Sequence, residues 1–171
     1  MQRMNRVAVV GSGGSGKSYV ARELGRLLDA PVTHLDAVFF DDDWNPLPQD
    51  KFEAAQRELV AAPRWVIDGN YNSTLHVRLE ACDTVVMMDV PTWTALWGIF
   101  SRQIRHGAGQ HGAGVYNRIH RGVVTYVATY RRRMRPQVLD KIQRFAGDKQ
   151  VVFLRGRRQT RRWLEQVAAR R

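Results

Sequence analysis

Short apolar runs alternate with segments of helical periodicity along the whole chain. The apolar runs predict five strands, at Arg6–Val10, Val32–Leu35, Trp65–Ile67, Thr84–Met88 and Val151–Leu154. Apolar residues at helical spacing predict helices at Lys17–Leu28, Gln49–Ala61, Thr74–Glu80, Thr92–Ile104 and Gln159–Ala169, and a mostly helical stretch at Arg118–Phe145 that breaks near Pro136. Strands and helices that alternate in this way predict a parallel sheet covered on both faces, in one α/β domain spanning residues 1–171.

A carboxylate follows three of the predicted strands. Asp36, Asp68 and Asp89 each lie at a strand end. In an open parallel sheet these ends meet at one edge, which is where ligands bind. Three carboxylates at that edge favour a cation-dependent site. His34, just before Asp36, is expected to pack rather than to act in chemistry.

The apolar runs are too short to cross a bilayer. The longest are Val85–Met88 and Ala95–Phe100, and the N-terminal run Val7–Val10 is too short for a signal peptide. Cys82 is the single cysteine, which excludes an intramolecular disulfide and a cysteine-based zinc cluster. We therefore expect a cytoplasmic protein with no membrane partner.

Positive charge is concentrated in the second half of the chain. The net charge is +11; residues 1–101 carry 9 basic and 13 acidic side chains, whereas residues 102–171 carry 18 basic and 3 acidic ones. Of the 27 basic residues 23 are arginine, which pairs bidentately with phosphate. The second half thus either binds an anionic partner or presents a solvated, arginine-biased surface.

One motif carries specific chemistry. The run from residue 11 to residue 18 matches G-x-x-x-x-G-K-[ST], follows a predicted strand and opens a predicted helix; its members are Gly11, Ser12, Gly13, Gly14, Ser15, Gly16, Lys17 and Ser18. This P-loop lets backbone N–H groups surround phosphate oxygens at a helix N-terminus. Lys17 is expected to reach the β- and γ-phosphates, and the Ser18 hydroxyl to bind Mg²⁺. The chain lacks the N-K-x-D motif that reads guanine, so ATP, or loose base specificity, is favoured.

Further segments resemble known P-loop proteins. Met87-Met88-Asp89-Val90-Pro91, with Arg102 after it, resembles the strand and lid helix of adenylate-kinase-like enzymes, and Asp68-Gly69 resembles their D-G-F-P-R element. The segments His34–Asp36, Trp65–Tyr71 and Arg78–Ala81 resemble the small kinase-like DNA topology modulation proteins, over roughly residues 5–105. The resemblance implies a five-stranded parallel sheet of order 2-3-1-4-5 with a lid closing over ATP.

Roles for individual residues follow from this resemblance. Asp68 matches the carboxylate that holds a Mg²⁺-bound water. Arg102 matches an arginine at the base of the lid, here the segment 102–121, and would clamp the phosphoryl group in transfer. Arg105, Arg118 and Arg121 flank the glycine-rich loop and are candidates for further lid arginines, or for a solvated helix face.

The chain also departs from the adenylate-kinase pattern. Gly98 stands where an arginine usually precedes the lid-base arginine by four residues, and Asn72 replaces the arginine of D-G-F-P-R. Residues 36–63, which would cover the acceptor, carry seven acidic and two basic side chains. This charge repels a nucleoside monophosphate and favours a neutral or cationic hydroxyl or amine acceptor.

Asp36 is the candidate general base on the acceptor side. A carboxylate within hydrogen-bond reach of a substrate hydroxyl orients it and takes its proton. The alternative role is a cap for the following turn. Asn70 and Tyr71 are further candidates on the acceptor side, although Tyr71 is equally suited to packing.

Two functions remain open from the sequence. The first is a kinase that uses MgATP and an unknown small acceptor. The second is an ATP-dependent nucleic-acid-binding regulator affecting DNA topology, which would use the basic C-terminal segment, including Arg131–Arg133, Arg157-Arg158 and Arg161-Arg162. Lid arginines account for much of the same charge, which favours the kinase.

Overall fold

A computed structural model describes residues 4–40, 45–106, 110–111, 115–116 and 121–170, with backbone only at 102, 103, 105, 106, 110, 111, 115 and 116. The strands are β1 Arg6–Gly11, β2 Val32–His34, β3 Trp65–Asp68, β4 Thr84–Met88, β5 Gln110–His111, β6 Val115–Tyr116 and β7 Gln150–Leu154. The helices are α1 Lys17–Leu28, α2 Leu35–Phe39, α3 Gln49–Val60, α4 Leu75–Ala81, α5 Thr92–His106, α6 Arg121–Arg133, α7 Arg135–Ala146 and α8 Arg157–Ala168.

Five strands form one parallel sheet, in the order β2-β3-β1-β4-β7. This is the predicted order 2-3-1-4-5, with β7 as the fifth strand, and it confirms the single α/β domain. Strand β1 lies in the centre and its residues Val7–Val10 are fully buried. Runs of apolar, β-branched residues suit such a strand because helices cover both of its faces. The strands β5 and β6 form a separate antiparallel pair.

Helices cover the two faces of the sheet. Helices α1 and α8 pack on one face, where Leu24 and Leu164 join the valines of β1 and β4. Helices α3, α4 and α7 supply Phe52, Leu79 and Ile142 to the core on the other face. A third cluster lies at the carboxyl edge, where α5 and α6 pack together. No helix in the described part of the chain is both long and apolar enough to span a membrane.

The prediction for the second strand is wrong at its end. Strand β2 stops at His34, and Leu35–Phe39 forms the short helix α2, so Asp36 lies in a first helical turn rather than at a strand end. Periodicity alone does not reveal five helical residues. Side-chain packing stabilises this short helix instead, because the Phe39 ring contacts Phe52 and Tyr71, with ring centroids 5.0 and 4.9 Å away.

The predicted break near Pro136 is confirmed. Helix α6 ends at Arg133 and α7 begins at Arg135. Pro136 lies in the first turn of α7, where its missing N–H has no intrahelical partner to lose.

Candidate functional site

The P-loop joins β1 to α1 at the carboxyl edge of the sheet. Gly11, Gly14 and Gly16 have φ angles of 145°, 71° and 94°. Side-chain-bearing residues rarely adopt these angles, so glycine at these positions lets the backbone curl into a cradle. The loop therefore has the backbone shape that the motif requires.

Polar groups inside the loop hold its curvature. The Ser15 hydroxyl donates to the carbonyl oxygen of Ser12 at 2.6 Å, and Lys17 Nζ donates to the same oxygen at 2.9 Å. Helix α1 then starts after Gly16 with no side-chain cap and no acidic residue in its first turn. Its N-terminal N–H groups and their partial positive charge thus face the loop, an arrangement that suits an anion.

Helix α5 packs directly on this loop. A Cβ atom at Gly14 would lie 2.1 Å from the carbonyl oxygen of Ala95, and a Cβ at Gly98 would lie 2.1 Å from the carbonyl oxygen of Gly14. The backbones of α5 and the P-loop are thus in contact through glycine on both sides. An arginine at position 98 would force them apart, so this close approach requires glycine there.

Asn70 connects the P-loop to the rest of the site. Its Oδ1 accepts a hydrogen bond from the backbone N–H of Gly11 at 2.9 Å, and its Nδ2 donates to the Tyr126 hydroxyl at 2.8 Å. The side chain therefore ties the end of β1 to α6. The predicted place of Asn70 on the acceptor side remains a prediction; what its contacts support is a positioning role beside the loop.

Asp36 and Tyr71 form a hydrogen-bonded pair. The Tyr71 hydroxyl donates to Asp36 Oδ1 at 2.6 Å. Burial raises the pKa of Tyr71, and the charge of Asp36 raises it further, so the phenol remains a donor. Asp36 itself is exposed. Its carboxylate is oriented from one side and open to solvent.

The backbone of Tyr71 is strained. Its φ of 36° lies in the left-handed region, which non-glycine residues seldom occupy. Its ring lies against Phe39 and Phe52, with centroids 4.9 and 4.8 Å away, and this packing holds the conformation. Strain of this kind is frequent where a side chain must be held in one direction for function.

A second hydrogen-bonded pair, His34 with Asp68, lies at the ends of β2 and β3. His34 Nδ1 is 2.7 Å from Asp68 Oδ1, and both side chains are buried. The two residues are register partners on β2 and β3. The expectation that His34 packs therefore needs one addition: it packs by hydrogen bonding to Asp68, so one oxygen of this proposed magnesium-binding carboxylate is already engaged.

Arg78 balances the charge of Asp68 from within the core. It is fully buried, and its guanidinium donates to the carbonyl oxygens of Gly69 and Asn70 at 2.5 and 2.6 Å. Burial lowers the pKa of Arg78 to about 10, and the negative charge of Asp68 opposes that shift. Arg78 thereby fixes the backbone of the segment that carries Asp68, Asn70 and Tyr71.

The third carboxylate, Asp89, is held by arginine. Arg135 donates to its two oxygens from Nε and Nη2 at 2.7 and 2.8 Å, while Arg131 and Arg155 lie 3.8 and 4.0 Å away. These hydrogen bonds hold the pKa of Asp89 below its ordinary value of 3.8. Asp89 therefore binds α6, α7 and the end of β7 to the end of β4.

The three carboxylates that the sequence placed at strand ends thus have three different partners: a tyrosine for Asp36, a histidine for Asp68 and an arginine for Asp89. Among the residues that the structure describes, no group of three histidine, cysteine or acidic side chains is placed to hold a metal ion. The expected common cation site is not formed by these three. Ser18, the second residue of α1, and Asp68 remain the predicted magnesium-binding pair.

The proposed lid lies mostly outside the described residues. Position 102 follows Gly98 by one turn of α5, but the side chains of Arg102 and Arg105 are outside the described part of the chain, as is Arg118. Arg121 is the first residue of α6 and is exposed. The roles of these arginines and of the segment 102–121 therefore remain predictions.

Sequence reasoning missed the contributions of Arg78, Tyr126 and Arg135. Tyr126 and Arg135 lie on helices far along the chain from the groups that they bind. Arg78 is only eight residues from Asn70, but its burial against that backbone is a tertiary feature that the sequence pattern does not show. The pairing of His34 with Asp68 did have a signal, because both residues end strands that are neighbours in the predicted order.

No protein-family model and no curated protein sequence matches the chain. In structure the chain is similar to shikimate kinase from Acinetobacter baumannii in complex with shikimate, with a TM-score of 0.57 and 14% identity over 96% of this chain and 90% of that chain. It is also similar to shikimate kinase from Bacteroides thetaiotaomicron, with a TM-score of 0.53 and 14% identity over 98% of both chains. A sugar kinase from Janibacter sp. HTCC2649 has a TM-score of 0.54 and 15% identity over 98% of this chain and 92% of that chain. At these identities the likeness establishes a P-loop kinase fold; the resemblance to DNA topology modulation proteins remains a prediction.

Proposed function

We propose that this protein is a kinase that transfers the γ-phosphoryl group of ATP to a small neutral or cationic acceptor. The observation that carries the proposal is the segment Asp68–Tyr71, which connects two half-sites. Asn70 holds the first glycine of the phosphate loop, and the next residue, Tyr71, holds the carboxylate of Asp36. A phosphate cradle and a candidate base are thereby fixed relative to each other.

The residues present suit a nucleoside triphosphate. A curled glycine loop, a lysine and an uncapped helix N-terminus supply donors and positive charge for phosphate oxygens. Magnesium, when bound, neutralises phosphate charge, and Ser18 and Asp68 are the residues that would hold it. Lys17 would reach the β- and γ-phosphates, and Arg102 would clamp the phosphoryl group in transfer.

Asp36 would activate the acceptor. Its carboxylate takes the proton of the acceptor hydroxyl or amine as that atom forms a bond to the γ-phosphorus. The bond from the γ-phosphorus to the oxygen bridging it to the β-phosphate breaks, and ADP leaves. The Tyr71 hydroxyl, bound to one carboxylate oxygen, leaves the other oxygen to face the acceptor.

The charge of the acceptor side supports the acceptor class. Residues 36–63 carry an excess of five negative charges, and Asn72, which donates its side-chain amide to Gln137, stands where the resemblance to adenylate-kinase-like enzymes would place a phosphate-binding arginine. Such a surface disfavours a phosphorylated acceptor. The similar solved structures are named as kinases of shikimate and of sugars, which supports a small molecule in this role.

The test is ADP release from MgATP, alone and with pooled sugars, polyols, amino alcohols and AMP. We expect a pool other than AMP to stimulate release. Asp36→Asn should lower the stimulated rate at least about 100-fold while nucleotide binding persists. Lys17→Ala should lose both binding and turnover.

Glu58→Gln is the matched control. This side chain is exposed on α3 in the same acidic segment and loses the same charge. An equal loss in this variant would contradict the role of Asp36. Stimulation by AMP above all other compounds, or extra thermal stabilisation by AMP beside an ATP analogue, would contradict the acceptor class. Tight ATP binding without stimulation by any pool would contradict transfer itself.

A further inference from the structure

Helix α5 exposes four large apolar side chains in a line. Trp93, Trp97, Phe100 and Ile104 are 73%, 59%, 45% and 79% exposed. We call these four residues the α5 stripe. Their spacing of four, three and four residues places them within about 60° of the helix circumference, over a length of about 16 Å.

The opposite face of α5 is also apolar, but it is packed. Ala95 and Ile99 are buried with Val90 and Val127 above the phosphate loop. The stripe is therefore not a part of the core that has turned outward. It is a second apolar face on a helix whose first face is already used, and contiguous exposed apolar surface of this kind marks an interaction site.

The stretch of sequence that carries the stripe and α6 has charge of one sign. Residues 90–139 contain eight arginines and no acidic residue. Helix α6 packs antiparallel to α5, since Arg131 near its end donates to the carbonyl oxygen of Val90, just before α5 begins. Arg121, Arg132 and Arg133 are exposed at the two ends of α6, the helix that packs beside α5.

This combination points to an anionic partner with an apolar interior, and we propose that the α5 stripe binds the surface of an anionic phospholipid bilayer. Tryptophan, phenylalanine and isoleucine enter the boundary between headgroups and acyl chains, while arginines bind lipid phosphates. At 15 residues α5 is too short to span a bilayer, so the helix lies in the interface. The absence of long apolar runs, which led to the expectation of no membrane partner, does not bear on this mode of binding.

The same features disfavour two other occupants. A second copy of the chain would bring two acid-free, arginine-rich surfaces together without carboxylates to pair them. A nucleic acid would stack its bases on the aromatic rings, but the most exposed member of the stripe is Ile104, which has no ring for stacking. A lipid surface accounts for all four side chains.

The experiment is sedimentation of the whole chain with phosphatidylcholine vesicles that contain or lack phosphatidylglycerol. We expect binding to the anionic vesicles, weakened by salt, with a blue shift of tryptophan emission. Trp93→Ser combined with Trp97→Ser should lower the partition coefficient at least about tenfold. Ile104→Ser is a milder variant that should lower it by a smaller factor, and thermal unfolding and ATP-analogue binding verify that both variants remain folded.

A matched pair of charge reversals tests the direction of approach. Arg132→Glu with Arg133→Glu should weaken binding at least about tenfold, because α6 flanks the stripe. Arg161→Glu with Arg162→Glu changes the charge equally on α8, which packs on the sheet face with α1, and should have an effect of less than about threefold.

Three results would overturn the proposal. The first is equal binding to neutral and anionic vesicles, or binding to neither. The second is a dimer that the tryptophan variant dissociates. The third is random DNA or RNA that binds through the tryptophans while Ile104→Ser changes nothing. ADP release from MgATP reports on the proposed kinase activity separately, since the vesicle assay needs no turnover.

Discussion

Two glycines lie backbone to backbone where helix α5 crosses the phosphate loop. In the adenylate-kinase pattern an arginine is expected at position 98, so the sequence indicated that one lid contact is missing or replaced there. The structure gives a packing reason for glycine at position 98. A side chain there would collide with the carbonyl oxygen of Gly14, so the residue type is set by how closely the helix approaches the loop.

Gly98→Ala should therefore destabilise the protein. The added Cβ would lie 2.1 Å from the Gly14 oxygen, which displaces either α5 or the loop. We expect a loss of about 1–3 kcal/mol in the free energy of unfolding, measured by denaturant titration, and weaker binding of an ATP analogue. Gly156→Ala is the control, because a Cβ at Gly156 meets no atom within 4 Å. Equal stability of the two variants would show that the helix and loop are not in firm contact.

At the end of β3, neighbouring residues bind different parts of the candidate site. Asp68 binds His34, Asn70 holds the P-loop and Tyr71 orients Asp36, while Arg78 fixes the backbone between them. Reasoning from the sequence assigned Asp68 to metal binding, and Asn70 and Tyr71 to the acceptor side. Those roles remain predictions, and the hydrogen bonds add a positioning role that needed the tertiary contacts to be seen.

At the scale of elements, the end of β4 is bound to helices α6 and α7 and to the end of β7 through Asp89. Asp89 is buried, and its two oxygens accept hydrogen bonds from Arg135 at the start of α7. Arg131 on α6 and Arg155 after β7 add positive charge at 3.8 and 4.0 Å. This ion pair fixes α6 and α7 against the end of β4.

Arg135→Gln should destabilise the protein in a pH-dependent way. Arg135 lowers the pKa of Asp89 in the folded state, so this stabilisation is complete above the unfolded pKa and is lost as the pH falls through the lower folded value. At pH 7 we expect a loss of roughly 2–3 kcal/mol, since a buried carboxylate loses its partner. Below about pH 4 the difference from the natural chain should shrink.

Unfolding titrations across this pH range provide the measurement. Arg132→Gln, an exposed neighbour on α6, should give a small difference at every pH. A loss in Arg135→Gln that stays constant down to pH 2, or that grows on acidification, would contradict the assignment of the effect to Asp89.

The whole molecule encloses its one cysteine. Cys82, at the end of α4, is 1% exposed, and burial raises the pKa of its thiol to about 12. Because thiolate is the reactive form, labelling of the folded protein requires both opening of the fold and ionisation. The thiol therefore serves as a reporter of global stability.

We expect a thiol reagent at pH 8 to label the folded chain at least about 1000-fold more slowly than the chain in denaturant. An ATP analogue should slow labelling further, because a ligand that binds only the folded state stabilises it. Ala128→Cys adds an exposed thiol on α6 as a control and should label at once. Rapid labelling of Cys82 in the folded protein would mean that the contact between α4 and the sheet opens locally.

The sequence by itself determined the architecture and the phosphate loop. Buried parallel strands need continuous apolar runs, and the helices between them need apolar residues at helical spacing, so local patterns were sufficient to predict a parallel sheet covered by helices. The strand order 2-3-1-4-5 came from the resemblance to adenylate-kinase-like enzymes. The P-loop is also local, because its curl depends on glycines within eight consecutive residues.

Tertiary structure decided what these elements do to one another. Helix α2 forms because Phe39 packs on rings from distant segments, and Gly98 is required by the approach of α5. Asp36, Asp68 and Asp89 each acquired a different partner. The exposure of the α5 stripe likewise depends on which face of an apolar helix the sheet leaves uncovered. These outcomes depend on contacts between residues far apart in the chain, and no local pattern encodes such a contact.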